Sequence, residues 1–80
     1  MLTVTPGTEV RWRNESAYSQ TVTAERDYLG APAIPLDAQP WDSGPVRAGE
    51  TFALRLDVPG RYLYYSETDD RMIGTIEVTP

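Results

Sequence analysis

The chain contains no cysteine, no histidine and no lysine. Without cysteine there is no disulfide staple, no thiolate nucleophile and no zinc ribbon, and the redox compartment is left open. Without histidine the commonest general base and the commonest nitrogen ligand are missing. Its basic residues are all arginines, scattered from Arg11 to Arg71, and the net charge is −5. No basic stripe suits nucleic acid, and an anionic membrane surface would repel the chain. No apolar run reaches the roughly twenty residues of a spanning helix, so membrane insertion is not expected. No charged-then-apolar start reads as a signal peptide. With no His, no Cys and no Ser triad, and with little room for a sugar-sized cleft between paired carboxylates, an enzyme is not expected either.

What is present is short and punctuated. Eighty residues make one domain, residues 1–80. Turn signals fall at Pro6-Gly7, between Gly30 and Pro40, at Gly44-Pro45, Gly49, Pro59-Gly60 and Gly74. The segments between them are rich in Val, Thr, Tyr and Leu, which suits an all-β sandwich or barrel. Strands are expected over 2–5, 9–14, 20–25, 51–58, 61–66 and 73–79. The clearest is 51–58, with Phe52, Leu54, Leu56 and Val58 inward and Thr51, Ala53, Arg55 and Asp57 outward. Alternation also puts Trp12, Phe52, Tyr62 and Tyr64 in the core. Residues 26–45 read as irregular, because Pro32, Pro35, Pro40 and Pro45 exclude a central strand. Val58-Pro59-Gly60-Arg61-Tyr62 suits a tyrosine corner.

In order and spacing, several segments together resemble the cupredoxins, the blue-copper domains of the plastocyanin, amicyanin and halocyanin kind. They are Leu2–Trp12, Gln20-Thr-Val-Thr23, Trp41-Asp-Ser-Gly44, Ala48-Gly-Glu-Thr-Phe52, Pro59-Gly-Arg-Tyr62, Tyr64-Tyr-Ser66 and Met72–Ile76. The resemblance implies a Greek-key β-sandwich of six to seven strands, with the family's first strand absent and a sheet edge left open. It implies that the four copper-ligand positions are Gln20, Ser66, Asp69 and Met72. A blue-copper site needs two imidazoles and a thiolate around a weak axial thioether, and only the Met is in place. The expected reading is therefore a filled-in former site, with no metal and no cofactor, closed by hydrogen bonds among amide, hydroxyl and carboxylate.

Function is expected to be that of a copper-free, non-catalytic binding or structural module. It would belong to a larger exported protein, or be engineered from a blue-copper protein. Copper-dependent electron transfer by descent is one alternative. Hard-cation binding (calcium or magnesium) at a loop of Glu67, Asp69 and Asp70 is the other, although a solvated acidic turn is the plainer reading. The partner is expected to be a protein or a neighbouring domain, met through Tyr18, Trp41 and Tyr65, or a second copy pairing along the open strand edge. Trp41 doubles as a candidate core plug. The Ala31–Leu36 run is apolar, suited to sealing the vacated pocket or meeting a partner. A periplasmic or extracellular location is implied by the resemblance alone.

Overall fold

A computed structural model describes residues 1–80, and every regular element in it is a strand. The strands are β1 (Leu2–Val4), β2 (Thr8–Arg13), β3 (Thr23–Ala24), β4 (Asp27–Tyr28), β5 (Ala31–Pro32), β6 (Trp41–Asp42), β7 (Thr51–Leu56), β8 (Gly60–Ser66) and β9 (Asp69–Val78). They form a five-stranded sheet in the order β1-β9-β8-β3-β6, a facing pair β2-β7, and a small hairpin β4-β5. β1 joins β9 in parallel, with Leu2 opposite Ile76 and Val4 opposite Val78. The other pairings are antiparallel.

The alternation expected along 51–58 is what builds β7. Its outward residues Thr51, Ala53 and Arg55 are exposed, while Leu56 is buried and Phe52 and Leu54 are half-buried. Val10, Ala24, Ile34, Ala38, Leu56, Tyr62, Ile76 and Val78 form the core between the layers. Burying side chains such as Ile76 and Val78 contributes about 1.5–3 kcal/mol each. Trp12 sits over the core with Trp41 at 6.0 Å, Phe52 at 5.7 Å and Tyr64 edge-on at 5.5 Å. Tyr62 is buried, and its hydroxyl donates to Val58 O at 2.6 Å, which is the expected corner. Burial, with the charge of Asp57 second, raises the Tyr62 pKa above the usual phenol value.

Tyr64 lies flat over Gly74, its partner across the β8-β9 hairpin. A Cβ at Gly74 would overlap the phenol oxygen and ring of Tyr64. The Tyr64 ring can reach Trp12 because Gly74 has no side chain.

Several expectations are corrected. There are nine strands rather than six or seven, because 26–45 contains β4, β5 and β6. The 20–25 strand shrinks to Thr23–Ala24, with Gln20 making a single bridge to Val46. Its alternation is also lost: Thr21, Val22, Thr23 and Ala24 are all buried. The apolar run in the long loop does not seal the ligand pole. Ala33 and Ile34 are buried, and Pro35 packs over Gly60, at the other end of β8 from Ser66. Arg26 fastens this loop by donating to Pro35 O, Leu36 O and Ala38 O at 3.3, 2.8 and 2.9 Å.

Candidate functional site

The resemblance places the ligand pole where β8 ends. There Ser66 pairs with Asp69 across a turn of just Glu67 and Thr68. On the far side of that turn the register slips, so that Tyr65 pairs with Ile73 and Asp70, Arg71 and Met72 bulge out. The segment that the resemblance would make a ligand loop is thus a tight hairpin with a bulged return strand.

Ser66 is 4% exposed and is the hub of the pole. Its Oγ donates to Gln20 Oε1 at 2.8 Å and accepts from Thr21 N at 3.1 Å and Thr68 N at 3.3 Å. Gln20 Nε2 in turn donates to Asp69 Oδ2 at 3.5 Å and Ser16 Oγ at 3.3 Å. Three of the four ligand positions, Gln20, Ser66 and Asp69, therefore form one hydrogen-bonded set. Met72 stands apart from these bonds. It lines a cleft of about 440 Å³ together with Trp12, Asn14, Gln20, Val46 and Asp69. The backbone N–H of Arg71, chiefly, and the Gln20 amide and Arg71 charge after it, hold the Asp69 carboxyl below its usual value against a smaller opposing effect of burial.

This donor set does not fit copper. Hydroxyl, amide and carboxylate oxygens are hard ligands, and a lone thioether cannot hold a soft ion against water. The Ser66 hydroxyl is moreover occupied by protein partners. Nowhere do three Asp or Glu side chains gather in a way that could hold a metal ion.

That last point corrects the expected cation loop. The hairpin sends Glu67 and Asp69 apart. Asp69 turns to Gln20 and Arg71, whereas Glu67 turns to the outer face of the large sheet, toward Asp42 and Glu25. Asp70 is exposed and joins neither.

On that outer face Tyr65 packs against Tyr28, ring centroids 5.0 Å apart and planes tilted by 45°. Thr23 Oγ1 lies 3.4 Å from Asp42 Oδ1 and 3.4 Å from Glu67 Oε1, so the two carboxyls are close neighbours. A hydrogen bond with Asp42, and then the charge of Asp42, raise the Glu67 pKa. Burial raises that of Tyr65, followed by the charge of Glu25 and a hydrogen bond to it. Ion pairs join Glu9 to Arg11, Asp57 to Arg55 and Asp69 to Arg71, leaving Glu25, Asp42 and Glu67 without one.

The expected aromatic surface is divided. Tyr65 belongs to this acidic face. Tyr18 is 78% exposed in the loop after β2. Trp41 is not a surface residue in the sense expected: its ring packs on Trp12 and Tyr62, at 6.0 and 6.1 Å.

Sequence reasoning missed Asn14, Thr21, Thr23, Glu25 and Asp42. Asn14 is buried; its amide donates to Tyr18 O and Val46 O at 2.7 and 2.8 Å and accepts from Ser16 N at 3.0 Å. The Asn-x-Ser spacing of an Asx turn was the available signal for it.

No family model matches the sequence, and no curated protein matches it. Solved structures do. A purple cupredoxin from Nitrosopumilus maritimus superposes with TM-score 0.75 at 21% identity, over 98% of this chain and 76% of that one. A mutant of amicyanin in its oxidised state gives TM-score 0.75 at 21% identity, over 96% of this chain and 67% of that one. A second amicyanin mutant gives 0.74 over the same shares. The architecture is that of an all-β Greek-key sandwich, and the fold is the cupredoxin fold.

Proposed function

We propose that this chain is a non-catalytic, copper-free binding module on a cupredoxin scaffold. The observation that carries the reading is Ser66. At the position where the resemblance expects a thiolate there is a buried hydroxyl, already bonded to Gln20, Thr21 and Thr68. The pole is thereby a structural joint that fixes the β8-β9 hairpin to the segment before β3.

The surface we assign to partner binding is the outer face around Tyr28 and Tyr65. It offers two tilted, touching rings with Glu25, Asp42 and Glu67 beside them and outside any ion pair. Crowded carboxylates at a half-buried aromatic pair favour a partner that brings positive charge. The occupant we assign is a basic protein surface, on a separate chain or a neighbouring domain, met outside the cytoplasm. No helix of the chain is long and apolar enough to cross a membrane.

A thermal melt of chelator-treated protein, alone and with excess Cu(II), Cu(I), Zn(II) or Ca(II), tests the metal half. A ligand at 100 times its dissociation constant adds about 2.7 kcal/mol. For a domain of this size that is roughly 10 °C or more. No shift is expected; a rise with copper would overturn the copper-free reading, and a rise with calcium would move the function to the acidic residues. For the binding half, titrating an oligo-arginine peptide into labelled protein should move the amide signals of Tyr28, Tyr65 and Glu67. Changes confined to other faces would remove this surface from consideration.

A further inference from the structure

The β4-β5 hairpin turns on Leu29 and Gly30, with Tyr28 opposite Ala31. Both turn residues have positive φ, 52° at Leu29 and 82° at Gly30. That is the geometry of a type I′ turn, which Asn-Gly or Asp-Gly adopts most readily. Leu29 is the one residue other than glycine with positive φ. A bulky side chain makes that conformation unfavourable. Packing does not offset it, because Leu29 is 90% exposed. A strained backbone that holds an apolar side chain out in water points to a task outside the fold.

The surroundings of the turn say what that task is. Leu29 follows directly on Tyr28, whose ring touches Tyr65. Tyr65 lies opposite Ile73 across the β8-β9 hairpin, and Ile73 is also exposed. Cross-strand partners share a face, so Ile73 joins the two tyrosines on the outer side of the large sheet. Tyr28, Tyr65 and Ile73 line a shallow concavity of about 670 Å³, bounded by the turn at Glu67 and Thr68. Arg71, the one cation lining it, is held by Asp69 at 3.7 Å. Glu67 lines it as well, with Asp42 and Glu25 close by and none of the three in an ion pair. The surface therefore has an apolar floor and a negative rim. A partner bearing charge alone would engage the rim and leave the floor wet.

We infer that the occupant of this face is an amphipathic basic segment of a protein partner. One apolar side chain of that segment enters the concavity beside Leu29 and Ile73, over the two tyrosine rings. Basic residues on either side of it meet Glu25, Asp42 and Glu67. Leu29 and Ile73 select the apolar side chain, and the carboxylates attract the segment without reading its sequence. This inference rests on the binding face proposed above and names the chemistry of what binds there.

The test titrates two heptapeptides into labelled protein and follows its amide signals. One has six arginines around a central leucine; the other has the same six around a central serine. Their charge is equal. The leucine peptide should bind wild type about tenfold more tightly, as one apolar side chain partly withdrawn from water provides. Its shifts should include Leu29, Tyr65 and Ile73. The double variant Leu29→Asn with Ile73→Thr should bring the ratio close to one and leave the serine peptide's affinity unchanged, since no charge is altered. Leu29→Asn alone should raise Tm by a few degrees, because asparagine suits the turn, and this reports a folded variant. Failure of both peptides to bind at this face removes the acidic surface itself, and this inference with it. Equal binding of the two peptides to wild type overturns the inference and leaves the acidic surface standing. A leucine preference that survives the double substitution overturns the assignment to Leu29 and Ile73.

Discussion

Replacing Ser66 with alanine removes one oxygen atom and should cost far more than a surface change. Three groups lean on that hydroxyl: Thr21 N–H, Gln20 Oε1 and Thr68. They are not equal. Thr68 is exposed and Gln20 is half-buried, so water can take over at both. Thr21 is 6% exposed, and its N–H has no other acceptor. A buried donor left unpaired costs about 1–3 kcal/mol, and each lost hydrogen bond about 0.5–1.5 kcal/mol. Allowing for rehydration at Gln20 and Thr68, Ser66→Ala should destabilise by about 2–3 kcal/mol. On a chain of this length that lowers Tm by roughly 8–24 °C. Gln20→Ala, which strands no buried N–H, should cost about 1 kcal/mol. Urea unfolding followed by tryptophan fluorescence reads both, with the m-value checking that the transition stays two-state. A Ser66→Ala variant within about 0.5 kcal/mol of wild type, or a Gln20→Ala variant that costs more than it, would refute the assignment of Ser66 as the joint of the pole.

Two further substitutions probe the packing and the acidic face. Gly74→Ala drives a Cβ into the Tyr64 ring, so it should destabilise by about 1–3 kcal/mol, as overpacking does; the double variant with Tyr64→Leu should be less destabilised than the sum of the two, measured in a urea double-mutant cycle. Glu67 has its folded pKa raised by Asp42, so folding is disfavoured once Glu67 ionises: its penalty is absent below the unfolded carboxyl value and is reached as pH rises through the folded one. Glu67→Gln should therefore raise Tm at pH 7 and leave it nearly unchanged at about pH 3. A variant that lowers Tm at pH 7 would contradict the carboxyl crowding.

Where local pattern and burial coincide, the sequence was readable. β7 alternates because one of its faces meets the core and the other meets water. The corner at Tyr62 was legible because its Val-Pro-Gly-x-Tyr spacing sets both the turn and the reach of the hydroxyl. The segment around β3 resisted the same reasoning. Thr21 to Ala24 is buried throughout, so its threonines satisfy their hydroxyls against Glu67 N, Asp42 and each other, and polarity there says nothing about exposure. The acidic run 67–70 misled for a different reason. Neighbours in sequence look like a cluster, but a two-residue turn points alternate side chains to opposite faces of the hairpin. Asp42 and Glu25 reach Glu67 only through the β3-β6 and β3-β8 pairings, which no local pattern announces. The ligand positions were legible only through the resemblance, and what fills them, a hydrogen-bonded hub, is assembled from residues 46 apart that only the fold brings together.

The parallel pairing of β1 with β9 bears on how the chain is made. Residues 2–4 find their partners at 76–78, so β1 waits for β9. Ile76 and Val78 are each 1% exposed, and the core stays open until they arrive. On the ribosome, synthesis at about 5–20 residues per second leaves β2 and β7 translated for seconds with their apolar faces uncovered. The β8-β9 hairpin, with its two-residue turn, closes in microseconds once it clears the exit tunnel. Completion of this fold therefore waits for residues 76–78, and a nascent chain stalled before residue 76 should remain open to protease.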